Sequence, residues 1–155
     1  MAWDRLQPKK VVLKAAAQAD VICFGSLVQR EEPSRSAIYR LLGQSPSAAI
    51  RILDVNLRQN YYSREVIETS LRLANVLKLN DAELPLLAAM LGLRGNVEKQ
   101  VAAFAGRFDL QAVALSCGPR GSLLYQMGRW SECGTRSVCV KDTVGAGMPS
   151  RRLWP

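Results

Sequence analysis

Short apolar runs rich in β-branched residues alternate with stretches of helical spacing along most of this chain, and that alternation leaves few folds open. Strand character falls on residues 20–25, 49–55, 76–79, 112–116 and 122–125, with two more short β segments at 129–133 and 137–140. Between them lie helical patterns over residues 36–42, ended by Gly43, over 63–75, with Ser63 as N-cap, and over 84–91 and 96–106, separated by Gly92 and Gly95. On the second of these helices Val66, Ile67, Ser70, Leu71 and Ala74 share one face. Strands alternating with helices imply right-handed βαβ crossovers and a largely parallel sheet packed on both faces, a three-layer α/β/α arrangement. In that class ligands sit beyond the C-terminal ends of the strands, so candidate residues are sought there.

Composition narrows the function classes. At 155 residues and 48% hydrophobic content the chain suits one core. No apolar run approaches the ~18 residues of a membrane span, and the polar opening from Met1 to Lys10 lacks a hydrophobic signal region. A cytoplasmic protein with no membrane partner is expected. The absence of histidine excludes a Ser-His-Asp triad within the chain, and Cys23, Cys117, Cys133 and Cys139 lack Cys-x-x-Cys spacing, which argues against a zinc cluster. The formal charge of +8 is scattered and aromatic residues are only 6%, so it reads as a solvated basic surface suited to an anionic substrate, without a nucleic-acid partner.

Polar clusters stand at three predicted strand ends. After the second strand comes Asp54-Val55-Asn56-Leu57-Arg58, where alternation sends Asp54, Asn56 and Arg58 to one side. A turn held by Asp54 and Asn56 is the plain alternative to a ligand site. After the third strand, Asn80 and Glu83 have the spacing of a capping box. Pro85 speaks against that box, because a helix capped by Asn80 would need its N–H; a helix with Pro85 near N1 leaves Asn80 and Glu83 on a loop. After the fourth, Ser116-Cys117-Gly118-Pro119-Arg120-Gly121 is either an ordinary hairpin turn or a close backbone approach to a ligand.

A further stretch, Asp142-Thr143-Val144-Gly145-Ala146-Gly147, carries the most chemistry. Gly145 and Gly147 around Ala146 let the backbone turn tightly and aim successive N–H groups at one point, a cradle for an oxyanion. Phosphoryl transfer needs such a cradle, and a base beside it to take the proton from the attacking hydroxyl. The next residue is Met148, whose thioether cannot serve. The pattern matches neither the P-loop nor the Rossmann glycine fingerprint.

Taken together, these segments resemble the ribokinase/PfkB carbohydrate kinases. Asp142 to Gly147 resembles the family's second signature, which normally continues with the catalytic Asp. Residues 54–58 look like the fructokinase-type Asp-x-Asn-x-Arg segment, 80–83 like the Asn-x-x-Glu motif, and 116–121 like Thr-x-Gly-x-x-Gly with Ser116 keeping the hydroxyl. The resemblance implies a ribokinase-like fold, incomplete at both ends: a partial N-terminal segment over 1–19, a partial kinase domain over 20–147 and an aberrant tail over 148–155. It implies ATP and Mg2+ as cofactors and a keto-hexose or related sugar as substrate. Asn80, Glu83, Ser116, Gly118 and Gly121 would border the nucleotide, with Glu83 organising Mg2+ indirectly. Asn56 and Arg58 would meet the sugar, the amides of Gly145, Ala146 and Gly147 would form the anion hole, and Asp142 with the Val144 carbonyl would help hold K+. A homodimer is expected of the full-length parent.

Restoring one base after the first two of the Gly147 codon can turn the tail into Gly-Asp-Ala-Phe-Thr-Ala-Ala-Leu-Ala, the family's continuation. Residues 148–155 are therefore expected to be a frameshifted tail, with a genuine short tail on a natural remnant as the alternative, and the chain is expected to be inactive as a kinase. The competing expectation is a non-catalytic protein, either a nucleotide-binding remnant or a basic module contacting nucleic acid.

Overall fold

A computed structural model describes residues 5–59 and 61–135. Its elements, in chain order, are α1 (Lys10–Ala16), β1 (Val21–Gly25), α2 (Glu32–Gln44), β2 (Ile50–Asp54), α3 (Arg64–Leu73), β3 (Val76–Asn80), α4 (Glu83–Leu91), α5 (Val97–Phe108), β4 (Ala112–Ser116), β5 (Ser122–Gln126) and β6 (Arg129–Cys133). The strands form one six-stranded sheet in the order β1-β2-β3-β4-β5-β6. The first four run parallel, and β5 and β6 return as antiparallel hairpins. This is the expected α/β class with a largely parallel sheet.

The strands found lie within about a residue of their expected bounds; the central β3 and β4 are apolar runs largely buried on both sides, whereas β5 and β6 are half-buried to exposed. Leu77, Leu79, Val113 and Leu115 of the central strands are all at most 2% exposed. Against them pack Ile67 and Leu71 of α3, Leu84 and Leu87 of α4, and Val101 and Phe104 of α5. Full burial of one such side chain stabilises by about 1.5–3 kcal/mol.

Helix boundaries follow capping chemistry. Ser63 Oγ accepts from Val66 N at 3.2 Å and Asn96 Oδ1 from Lys99 N at 3.0 Å, fixing the starts of α3 and α5. Gly92, at φ 71°, ends α4 in the left-handed conformation that glycine adopts without strain. Two expectations need correction. Helix α2 begins earlier than residue 36 and runs through Gly43, which occupies ordinary helical space. The stop comes at Ser45, whose hydroxyl donates to Leu42 O at 2.7 Å just before Pro46. The opening segment, given no element from sequence, contains α1, packed on α2. The predicted strand at 137–140 lies outside the described residues.

Candidate functional site

Parallel registers bring the strand ends together along one edge of the sheet. Gly25 pairs with Asp54, Asp54 with Lys78, and Asn80 with Ser116. The segments 54–58, 80–83 and 116–121, far apart in sequence, thus leave the same C-terminal edge, where this class of sheet binds ligands.

Glu83 holds two of them in place. It is only 5% exposed. One carboxylate oxygen accepts from Leu57 N at 2.8 Å, the other from Asn80 N at 2.9 Å. Asn80 Oδ1 accepts in turn from Glu83 N at 2.8 Å and Ala82 N at 3.0 Å. This is a reciprocal capping box, and it corrects the expectation that Pro85 would forbid one. Helix α4 starts at Glu83 itself, so Pro85 falls in the first turn, where its N–H has no intrahelical partner to lose. The box closes in the turn before the helix. The bond to Leu57 was not foreseen; it anchors the loop that carries Asn56 and Arg58.

That loop departs from the strict alternation expected of it. Strand β2 ends at Asp54, and Asn56 turns left-handed at φ 45°. The extended zigzag stops there, and Asn56 and Arg58 are both exposed. Asp54 is engaged by Lys78, Nζ to Oδ1 at 2.8 Å, a half-buried pair across β2 and β3 that only the strand register reveals. Ser26, buried after β1, donates its hydroxyl to Val55 O. Between β1 and β2 these ends leave a cleft of about 300 Å³ lined by Gly25, Ser26, Asp54 and Asn56.

Around the β4–β5 connection, Ser116 Oγ donates weakly to Leu79 O at 3.4 Å, and Asp81 N donates to Ser116 O at 3.0 Å. Arg120 Nη2 meets Asp81 Oδ2 at 2.9 Å, linking the turn to the loop after β3. The two glycines differ. Gly118, at φ 55°, has open space where a Cβ would stand, leaving room for an approaching ligand. At Gly121, at φ 96°, a Cβ would strike the backbone of Cys133 and Gly134. Its bareness admits the protein's own backbone at the end of β6. Burial pushes the Cys117 thiol up, with the Asp81 charge adding and Arg120 opposing.

Among the described residues no group of three or more His, Cys, Asp or Glu side chains could hold a metal ion. The donors nevertheless suit magnesium of the kind held through its waters and a nucleotide's phosphates. Each Glu83 oxygen spends one lone pair on an amide and retains another. The residues of the anion cradle (Gly145, Ala146, Gly147), of the monovalent-cation site (Asp142, Val144) and Met148 lie outside the described residues.

The profile of the pfkB family carbohydrate kinases matches residues 1–147, and the chain belongs to that family. A sugar kinase of Pyrococcus horikoshii is 25% identical over 136 residues, covering 84% of this chain and 40% of that protein. The crystal structure of that kinase in complex with ATP superposes with a TM-score of 0.69 at 23% identity, covering 86% of this chain and 42% of the other. Fructokinase of Klebsiella pneumoniae is 27% identical over 148 residues, 92% of this chain and 46% of its own length. Vibrio cholerae fructokinase in its fructose-, ADP- and calcium-bound form superposes with a TM-score of 0.69 at 22% identity, over 83% of this chain and 42% of that one. The chain thus spans less than half the length of these relatives. Among the described residues no helix is long and apolar enough to cross a membrane.

Proposed function

We propose that this chain carries the nucleotide and sugar-facing strand ends of an ATP-dependent sugar kinase of fructokinase type, and that with Met148 in place of a base it binds nucleotide without useful turnover. The observation that supports the reading best is the convergence of Asn56 and Arg58, Asn80 and Glu83, and Ser116 and Gly118 on one sheet edge, the first two segments joined through Glu83 and the third paired with Asn80. ATP would lie along the 80–83 and 116–121 segments. Glu83 would help hold magnesium beside the nucleotide, and the ion would supply positive charge to offset that developing on the transferring group. The sugar, a keto-hexose or relative, would meet Asn56 and Arg58, whose planar fork suits a hydroxyl or phosphate oxygen. Amides of Gly145 to Gly147 would complete the anion hole, with Asp142 and the Val144 carbonyl on K+. The setting is cytoplasmic, and the full-length parent is a homodimer.

Loss of a general base forfeits roughly two to four orders of magnitude in rate. Saturating ATP with magnesium, at about 100 times its Kd, should stabilise the chain by about 2.7 kcal/mol. For a protein of this size that raises Tm by roughly 5–10 °C. Absence of any ATP-dependent shift overturns the nucleotide site, and robust sugar-dependent ADP release overturns the inactivity. Binding of polynucleotides with a steep salt dependence would instead favour a basic nucleic-acid module.

A further inference from the structure

At the opposite, N-terminal edge of the sheet lies a second cleft, of about 550 Å³, lined among others by Arg51, Arg72, Asn75, Phe108, Asp109 and Gln111. Its position is built, not incidental. Asn75 Oδ1 accepts from Arg51 N at 2.8 Å, Asn75 N donates to Arg51 O at 3.0 Å, and Gln111 N donates to Asn75 O at 2.8 Å. The starts of β2, β3 and β4 are thereby stitched side by side. Out of this framework comes Arg51, whose Nε is buried and has no hydrogen-bond partner among the described residues. A buried donor left unmet costs about 1–3 kcal/mol, so this guanidinium is held at the cleft it lines at a cost that a bound anion's attraction would offset.

We propose that this cleft binds the phosphoryl group of a small metabolite, with Arg51 and Arg72 as its ligands. Arginine's planar fork matches a phosphoryl group's oxygens in paired hydrogen bonds. The volume lies within the range of small-ligand sites. Phe108 offers an apolar wall, and exposed Gln111 a side-chain amide for hydroxyl groups. The cleft is separated from the kinase edge by the length of the strands, roughly 16 Å for five residues, so a small ligand there would not touch ATP. Asp109 lines the same cleft and opposes an anion. It sits at φ 53°, a conformation that asparagine shares, so Asp109→Asn removes the charge and leaves the backbone alone.

The test is titration of the 155-residue chain with inorganic phosphate and with glycerol 3-phosphate, followed by amide NMR at constant ionic strength, with chloride as control. Saturable shifts centred on Arg51, Asn75 and Gln111 are expected. Arg72→Gln, at an exposed position, should weaken binding about tenfold or more, and Asp109→Asn should tighten it roughly two- to fivefold. Arg51→Gln should match Arg72→Gln, and where Arg51→Gln does not fold the exposed variant decides alone. Stronger binding of glycerol 3-phosphate than of phosphate identifies a metabolite site, whereas equal binding reduces it to a site for the free ion. No saturable binding, shifts that ignore Arg72→Gln, or equal shifts with chloride would overturn the proposal.

Discussion

Replacing Glu83 by glutamine is isosteric, and the bonds around this carboxylate fix what should follow. The amide can present one oxygen, which Asn80 N will take, since glutamine serves a capping box as glutamate does. The NH2 group then faces Leu57 N across the 2.8 Å now spanned by a hydrogen bond. Two donors oppose each other at a site 5% exposed, where water does not readily intervene. The loss combines a charge-assisted bond with an orphaned N–H, about 2–4 kcal/mol together. That corresponds to a fall in Tm of roughly 5–15 °C. Urea titration measures the total, and hydrogen exchange locates it: the Leu57 amide should lose protection while the Asn80 amide keeps most of its own. Because the Leu57 bond steadies the loop holding Asn56 and Arg58, the sugar binding proposed for those residues should weaken along with stability. A change below about 0.5 kcal/mol, the range of a neutral surface substitution, would refute the claim that Glu83 ties these loops together. Equal loss of protection at both amides would refute the assignment of the surviving bond.

Three further outcomes follow from neighbouring geometry. Gly121→Ala meets the backbone of Cys133 and Gly134 at a positive φ and should cost about 3 kcal/mol or more, whereas Gly118→Ala, in open space, should cost about 1 kcal/mol; equal costs in urea unfolding would remove the distinction. Cys117, its thiol pushed up by burial and by Asp81, should alkylate far more slowly at pH 8 than exposed Cys133; Asp81→Asn should speed the reaction by favouring the thiolate and Arg120→Gln should slow it, as read by mass spectrometry. The Asp81–Arg120 pair, with side chains 43% and 76% exposed, should show a coupling of only about 0.2–1 kcal/mol in a double-mutant cycle and should fade in salt; a larger, salt-insensitive value would mean the pair is shielded in solution.

The central strands were legible because burial on both sides leaves a largely apolar run in the sequence itself, as in Val76 to Leu79. Caps were legible where one side chain does the work, as with Ser63. What escaped depends on partners distant in sequence. Gln29 is fully buried, donating through Nε2 to Gly25 O at 2.8 Å and to Ser70 Oγ at 3.0 Å. Nothing near Gln29 in sequence announces a buried amide, because its side-chain partner Ser70 stands 41 residues away. Lys78 and Asp54 likewise look like solvated charges until the register sets them opposite each other.

The segment 80–83 shows why a structural and a functional reading need not compete. A capping box requires a short polar side chain and a carboxylate three residues on, at the end of a strand and the mouth of a helix. A site for a nucleotide's metal and phosphates at the C-terminal edge of a parallel sheet needs oxygen donors in the same place, rigidly held. Packing and backbone bonds supply the rigidity: Glu83 is fixed by amides from two loops, yet only one lone pair of each oxygen is committed. Pro85 excludes neither role, because the box closes before α4 begins. Treated as one device, the box pre-orients the carboxylate, and a water-bridged metal would find it without the entropy of ordering a free side chain. Asn80→Asp separates the two roles. It preserves the cap, since aspartate caps as well as asparagine, so stability without nucleotide should stay within about 0.5 kcal/mol of the parent. It also adds a negative charge beside the proposed phosphates, so ATP binding should weaken at least about tenfold in low salt. Unchanged ATP affinity in that variant would leave residues 80–83 a cap and nothing more.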